Sequence, residues 1–136
     1  MSVIVIGYDG SDGADAALDH ALALAPKLGA EVLLVYGIQV AKVGGEVADL
    51  VATLRDEAER ILAAGRARVE AAGATARTEV AEGRIAEAIA DIGVRESADM
   101  IVVGSTGERP LRGLLIGSTP YRLLHLSPRP VLVVRV

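Results

Sequence analysis

The chain has 136 residues, of which 51% are hydrophobic and 24% are charged, and this predicts one folded domain, residues 1–136, with a sizeable core. The formal net charge of −4 and the lack of a basic cluster argue against a nucleic-acid surface, which needs clustered lysine and arginine. The absence of cysteine excludes disulfides and thiolate metal sites and is typical of a reducing compartment.

The N-terminal residues give no sign of a targeting segment. Met1–Gly7 carries no basic residue, and the chain turns acidic at Asp9. No apolar run reaches the ~18 residues that a membrane-spanning helix needs. We therefore expect a cytoplasmic protein with no signal peptide and no contact with a membrane.

The first third of the chain predicts a strand, a helix and a second strand. Val3–Tyr8 is a short apolar run that stops at the loop Asp9–Gly13. Ala14–Leu28 has apolar residues at helical spacing, and Gly29 follows as a C-terminal cap. Glu31–Ile38 is predicted to form the second strand.

The middle of the chain predicts a long amphipathic helix and a weak strand. The helix covers Val47–Ala72 and ends at Gly73. The strand over Thr75–Ala81 alternates poorly between apolar and polar residues. The apolar stripe of the helix is formed by Leu50, Leu54, Ala58, Ile61 and Leu62.

The last third predicts two more helices and two more strands. In chain order these are Ile85–Glu96, Met100–Val103, Thr119–Leu126 and Pro130–Val136, the first and third of them helical. Strands therefore alternate with helices throughout, which predicts an α/β fold with a five-stranded parallel sheet covered by helices on both faces.

The order of the strands predicts where a ligand would bind. Right-handed crossovers allow two simple doubly wound orders, 3-2-1-4-5 and 2-1-3-4-5. Ligands bind beyond the carboxyl ends of the strands, at the point where the order reverses. In the first order this crevice lies between strands one and four, and the loops that leave it are Tyr8–Ser11 and Gly104–Ser118.

The loop Gly104–Ser118 has the composition of an anion site. Its glycines at 104, 107 and 117 would let main-chain amides converge on a ligand. Arg109 and Arg112 would add positive charge, or are simply solvated. The alternative is a surface loop whose glycines serve turns.

A helix start follows that loop. Either Ser118 or Thr119 is expected to cap the helix, with Pro120 in the first turn, where its missing amide does least harm. Free amides and the helix dipole together favour a phosphate at this position. Neither the P-loop nor the dinucleotide-binding fingerprint is present, which argues against a P-loop NTPase or an NAD enzyme.

Few side chains have a pattern that indicates catalysis. Asp9, at the end of strand one, would bind a ribose hydroxyl or hold Mg²⁺ against phosphates, or else is a turn or cap residue before the first helix. His20 and His125 lie in predicted helices with no carboxylate partner that the sequence indicates. We expect no catalytic residue and no metal ligands.

The chain resembles the universal stress protein family, in its single-domain, ATP-binding subgroup. The family's pattern G-x2-G-x9-G-[ST] is matched by Gly104, Gly107, Gly117 and Ser118. The stretches that also resemble the family are Val3–Ser11, Glu82–Gly83 followed by Ala86–Ile89, Ser97–Ser105 and Pro128–Val134.

This resemblance implies the strand order 3-2-1-4-5 and the binding of ATP, with or without Mg²⁺. It places the glycines of the pattern and Ser118 around the phosphates and ribose, with Asp9 beside them, and Gly7 and Gly37 at the adenine. Relatives usually carry an aliphatic residue where this chain has Gly37, so we expect less apolar surface for adenine. The predicted cofactor-binding residues are Gly7, Asp9, Gly37, Gly104, Thr106, Gly107, Arg109, Gly117, Ser118 and Thr119.

The resemblance also implies a homodimer formed by the last strand, Val131–Val136, because relatives commonly pair this strand with its own copy. Three functional hypotheses follow. The first is an ATP-binding stress-response protein, a dimeric sensor or chaperone-like module with little or no turnover. The second is a slow ATPase or phosphotransferase, and the third is an interaction scaffold that binds no nucleotide.

Overall fold

The structure, a computed structural model, describes residues 2–39, 47–106 and 117–135. Strands and helices alternate along these residues, as the sequence predicts. The strands are β1 (Ser2–Gly7), β2 (Ala30–Ile38), β3 (Ala76–Glu82), β4 (Met100–Gly104) and β5 (Val131–Val134). The helices are α1 (Asp12–Leu28), α2 (Val47–Ala71), α3 (Ile85–Arg95) and α4 (Ser118–Leu126).

The five strands form one parallel sheet in the order β3-β2-β1-β4-β5. Gly7 at the end of β1 pairs with Val35 of β2, and Ile6 pairs with Val102 of β4. The order reverses between β1 and β4, because the chain builds outward from β1 first on one side and then on the other. The α/β class and the order 3-2-1-4-5 are thus confirmed, and the order 2-1-3-4-5 is wrong.

The sheet separates two aliphatic cores. Alternate residues of β1 point to opposite faces, so Ile4 and Ile6 belong to one core and Val3 and Val5 to the other. Helices α1 and α2 cover the first face, and α3 and α4 cover the second. β1, β2 and β4 are buried from both sides, which explains why their sequences are continuous apolar runs.

Helix α1 has clear signals at both ends. The Ser11 hydroxyl accepts a hydrogen bond from the amide of Ala14 at 3.1 Å, so the helix begins two residues before the predicted start. Gly29 ends it in the left-handed conformation, with φ of 61°, which confirms the predicted cap.

Helix α2 and strand β3 expose residues to solvent that the sequence pattern alone does not identify as exposed. In the predicted apolar stripe of α2, Leu50 is half exposed, whereas Ala58 and Leu62 are buried. β3 lies at the edge of the sheet and exposes charged residues such as Arg77. This edge position explains the weak alternation of its sequence.

Candidate functional site

A crevice of about 260 Å³ opens at the carboxyl ends of β1 and β4, where the strand order reverses. This is the position that the doubly wound topology predicts for a ligand. Eight of the described residues that we predicted to bind a cofactor line it. They are Gly7, Asp9, Gly37, Gly104, Thr106, Gly117, Ser118 and Thr119.

Gly104 has a packing role that the sequence did not indicate. A Cβ at this position would lie 2.5 Å from the carbonyl oxygen of Gly13, in the first turn of α1. No side chain separates the two backbones, so the start of α1 lies directly against the end of β4. The glycine at 104 is therefore explained by this contact between two backbones.

The amide of Gly117 is already used within the chain. It donates to the carbonyl oxygen of Ser105 at 2.6 Å. The prediction that this amide converges on an anion is therefore wrong, because the carbonyl oxygen of Ser105, directly after β4, already accepts its hydrogen bond. A Cβ at Gly117 would meet only the Ser105 oxygen at 3.4 Å and two atoms at 3.8 Å.

The predicted cap of α4 is also wrong. Gly117, rather than Ser118 or Thr119, is the N-cap residue, and no side chain caps this helix. Pro120 lies buried in the first turn, as predicted, and has no amide hydrogen. The first amides of an α-helix have no acceptor within the helix. The amides of Ser118 and Thr119 therefore form the donor end of the crevice, and the positive end of the α4 dipole adds to it.

Asp9 is held by the turn that joins β1 to α1. One oxygen of its carboxylate accepts the Ser11 amide at 2.9 Å, while the Ser11 hydroxyl caps α1. The turn function that we gave as an alternative is therefore present. Asp9 also lines the crevice, so the same contact fixes a negative side chain at its rim.

Tyr8 connects the crevice to the two helices on the other face of the sheet. Its ring is buried, and its hydroxyl donates to the Asp15 carboxylate at 2.7 Å. Burial, and then this hydrogen bond, raise the pKa of Tyr8 to about 12. Arg68 of α2 in turn lies 3.1 Å from the same carboxylate. Tyr8 is thus a neutral anchor between β1, α1 and α2.

The other end of the crevice is apolar. A Cβ at Gly37 would lie 2.7 Å from Ile85, and a Cβ at Gly7 would lie 3.0 Å from Val103 and 3.3 Å from Ile89. These three branched residues were not predicted as site residues, because nothing in the sequence distinguishes them from ordinary core residues. The crevice therefore has an amide-rich end at α4 and an aliphatic end under α3.

A comparison with known protein families decides what the chain is. Residues 1–135 match the model of the universal stress protein family. The chain belongs to the universal stress protein family. The resemblance carried by the glycine pattern and the first strand is thereby confirmed.

Individual relatives and solved structures agree with this assignment over nearly the whole chain. The universal stress protein MJ0531 of Methanocaldococcus jannaschii is 34% identical and covers 97% of this chain and 81% of its own. The solved structure of the hypothetical protein MJ0577 has a TM-score of 0.90 at 28% identity, covering 99% of this chain and 96% of that chain.

One related structure contains a nucleotide. It is a universal stress protein solved in complex with cAMP, with a TM-score of 0.77 and 29% identity, and it covers 98% of this chain and 96% of that chain. The ligand named there is an adenine nucleotide.

Some of the predicted residues of this universal stress protein lie outside the described residues. Gly107, Arg109 and Arg112 belong to this group. Within residues 2–39, 47–106 and 117–135, no group of three or more histidine, cysteine or acidic residues is placed to hold a metal ion. In the same ranges, no helix is both long and apolar enough to cross a membrane.

The two histidines of this family member lie away from the crevice lining. His20 is exposed on α1. The ring of His125 contacts the ring of Tyr121 edge to face, with 4.7 Å between their centroids. Both are helix-face residues, as the sequence predicted.

Proposed function

We propose that this universal stress protein binds ATP in the crevice between β1 and β4 and acts as a stress-response regulator. One observation carries the proposal. The crevice joins an aliphatic end under α3 to an uncapped helix N-terminus at α4, and these are the two environments that a purine and a phosphate chain require. The cAMP complex of a 29% identical relative supports the choice of an adenine nucleotide.

The phosphates belong at the start of α4. The main-chain amides of Ser118 and Thr119 donate to phosphate oxygens, and the helix dipole favours their negative charge. The hydroxyl groups of Thr106 and Ser118 lie at the same end of the crevice. Gly117 contributes by leaving room for the close approach of the ligand. Gly107 and Arg109 complete the phosphate site in this proposal.

The adenine belongs beside Gly37. The carbonyl of Val35 accepts the Tyr8 amide on the β1 side, while the carbonyl of Ile38 accepts the Gly83 amide on the β3 side. The N–H and C=O of one residue point to the same side of a strand, and successive residues alternate sides. Gly37, two residues after Val35, therefore faces the β1 side as Val35 does.

The backbone N–H and C=O of Gly37 therefore point beyond the end of β1, into the crevice. Its carbonyl would accept from the exocyclic amine of adenine, and its amide would donate to the ring nitrogen beside that amine. Guanine presents the opposite pattern, an acceptor next to a donor. The proposal therefore includes a preference for adenine over guanine.

Asp9 is suited to the ribose. The hydrogen bond from the Ser11 amide holds its side chain at the rim of the crevice, in the turn between β1 and α1. An ionised carboxylate accepts a hydrogen bond from a ribose hydroxyl, or holds Mg²⁺ when the nucleotide brings this ion.

Little or no turnover is expected. Among the described residues that line the crevice, Asp9 has the only acidic side chain, and none is a lysine, arginine or histidine. Tyr8 is a poor acid, since its pKa is raised to about 12. Phosphoryl transfer requires a group that orients a nucleophile as well as a cation that neutralises developing charge, and in this proposal Arg109 or Mg²⁺ supplies only the cation. We therefore favour a sensor over an ATPase or phosphotransferase.

The proposal includes a cytoplasmic homodimer. β5 is an edge strand of the sheet, and its residues Val131–Val134 are only partly buried. An apolar edge is usually paired or covered. Antiparallel pairing of β5 with its copy would cover this edge. Because α4 contacts β5, nucleotide binding at the start of α4 would then affect the dimer interface.

Calorimetric titration of the purified protein tests this proposal. Heating the purified protein first shows whether it releases a nucleotide that stayed bound during purification. Titration with ATP, AMP, cAMP and GTP, each with and without Mg²⁺, then ranks the ligands. We expect adenine nucleotides to bind and GTP to bind at least about tenfold more weakly, since reversed hydrogen-bonding partners leave buried polar groups unpaired. An empty crevice that takes up none of the adenine nucleotides would contradict the proposal and favour the scaffold.

A further inference from the structure

We propose that Ile85, the first residue of α3, determines base specificity by supplying the apolar wall that β2 lacks at Gly37. This inference rests on the proposed nucleotide function and names a residue of the same site. It explains why a chain with glycine at the end of β2 still has an apolar base end. It also identifies Gly37 and Ile85 as a matched pair, distant in sequence and joined by the fold.

The contact between the two residues is close. A Cβ built on Gly37 would lie 2.7 Å from Cγ1, 2.9 Å from Cγ2 and 3.2 Å from Cβ of Ile85. Side-chain carbons in proteins do not approach so closely, so the Ile85 side chain occupies the space that a residue larger than glycine would fill. The apolar volume that the sequence analysis expected to be missing is therefore supplied from α3.

This contact cannot be relieved by a small movement. Isoleucine is branched at Cβ and is therefore stiff about its first side-chain torsion. The three atoms concerned lie at the base of the side chain rather than at its flexible end. Removing the clash would require α3 itself to shift, and this helix is held by its buried residues Ile89 and Ile92.

A second glycine, Gly7, also lies against an isoleucine of α3. Gly7 lies on the same face of the sheet as Gly37, and a Cβ there would lie 3.3 Å from Ile89, one helical turn after Ile85. The two isoleucines of α3 therefore lie over the two glycines that end β1 and β2. Both pairs line the crevice, so α3 provides a large part of its aliphatic surface, together with Val35 of β2 and Val103 of β4.

The consequence is a preference that depends on base size. A purine covers more of this aliphatic wall than a pyrimidine does. Cytosine offers an amine beside a ring acceptor, the same edge as adenine, so ATP and CTP differ mainly in ring area. The ratio of the ATP and CTP affinities therefore measures the contribution of the apolar wall, because the hydrogen bonds to Gly37 are the same for both ligands and cancel in the ratio.

Calorimetry with three probes tests the role of Ile85. Wild type, Ile85→Ala and Ile92→Val are titrated with ATP, CTP and inorganic tripolyphosphate. We expect Ile85→Ala to weaken the binding of ATP at least about tenfold, because a single methylene group in an apolar pocket is already worth about that factor. The binding of CTP should weaken less, because its smaller base covers less of the wall, and the binding of tripolyphosphate should not change. Ile92→Val truncates the same core outside the crevice lining and should leave the ATP to CTP ratio unchanged.

Two results would overturn the inference while leaving the proposed function intact. One is wild-type affinity of Ile85→Ala for ATP. The other is an equal loss for ATP and tripolyphosphate, which would indicate general damage to the crevice. Wild-type protein that binds no adenine nucleotide would instead overturn the proposed function, and the inference with it.

The matched pair itself is tested on the ligand-free protein. Urea unfolding is measured for Gly37→Ala, Ile85→Ala and the double variant. We expect Gly37→Ala to lower the urea midpoint, and Ile85→Ala to remove most of that effect in the double variant, because the clash then disappears. Additive effects of the two substitutions would overturn the pairing.

Discussion

Gly13 and Gly104 bring two backbones together, with the carbonyl oxygen of Gly13 lying 2.5 Å from where a Cβ of residue 104 would be. This contact fixes the start of α1 against the end of β4 at the crevice, which Ala14 and Gly104 line. The geometry of the site therefore depends on this contact between two backbones as well as on the groups that face a ligand.

The first prediction concerns the stability of this contact. Gly104→Ala should lower the free energy of unfolding by about 1–3 kcal/mol, because the added methyl group meets backbone atoms that cannot rotate away. Urea unfolding of the ligand-free protein measures this. Gly117→Ala is the matched control, since its added carbon would meet its nearest neighbour at 3.4 Å, and a control destabilised as much as Gly104→Ala would refute the explanation.

The second prediction separates binding from folding at the start of α4. Gly117→Val should leave the thermal midpoint of the ligand-free protein nearly unchanged, because Gly117 has φ of −69° and adopts an extended conformation open to any residue. It should abolish ATP binding in calorimetry by filling the space beside the Ser118 and Thr119 amides. Normal ATP binding by this variant would place the phosphates elsewhere. Leu28→Gln, at the far end of α1 from the crevice, is the control that should bind normally.

The third prediction concerns Tyr8 at alkaline pH. Its pKa is raised from an ordinary value near 10.0 to about 12, so the folded state favours the neutral hydroxyl. The resulting stability is fully present below pH 10 and is lost as the pH rises toward 12. Tyr8→Phe should cost about 1 kcal/mol at pH 8, the usual value of one hydrogen bond.

The ionisation of Tyr8 is measured from tyrosinate absorbance. Subtracting the titration of Tyr8→Phe from that of wild type isolates this ring from Tyr36 and Tyr121. A difference curve with its midpoint close to 10 would mean that the hydroxyl is not held by Asp15.

The fourth prediction concerns acid stability at the edge strand. Arg77 of β3 donates to Glu96 at 2.5 Å, and this hydrogen bond holds the pKa of Glu96 below its usual range. Because the folded pKa is lowered, the stability from this pair is present above the ordinary value of 4.5 and is lost as the pH falls below it. Glu96→Gln should therefore cost at most about 1 kcal/mol at pH 7, since Arg77 is partly solvated.

Urea unfolding between pH 7 and pH 3 follows this effect. The difference between wild type and Glu96→Gln should shrink as the pH approaches 3 and should also shrink in high salt. Glu70→Gln, which removes an exposed pair with Arg66, is the control and should have a smaller effect at every pH. A constant difference across this range would exclude the ion pair as its cause.

The fifth prediction tests the proposed dimer. The carbonyls of Pro130 and Val134 accept from the amides of Ile101 in β4 and of Ser105 directly after it. Because successive residues of a strand alternate sides, the N–H and C=O of Val133 face the open edge. Val133→Pro removes an outward amide without removing a hydrogen bond to β4, and it should convert a dimer into a folded monomer. Sedimentation equilibrium measures the mass, and circular dichroism checks the fold. A Val133→Pro protein that remains dimeric would exclude pairing through β5.

The sequence by itself determined the order of the elements and most of their ends. Continuous apolar runs identify strands buried on both faces, and Gly29 stops α1, because these signals lie within a few residues of where they act. Together with the rule for right-handed crossovers, they place the crevice at the end of β1. The glycine pattern indicated the universal stress protein family.

Only the tertiary structure decided what each glycine does. Gly104 serves the contact with Gly13, and the amide of Gly117 is taken by Ser105. Gly37 leaves room for Ile85, 48 positions later in the chain. The physical reason is that a missing side chain has no signature of its own in the sequence. Its meaning depends on which distant atom fills the space, and only the folded chain brings that atom near.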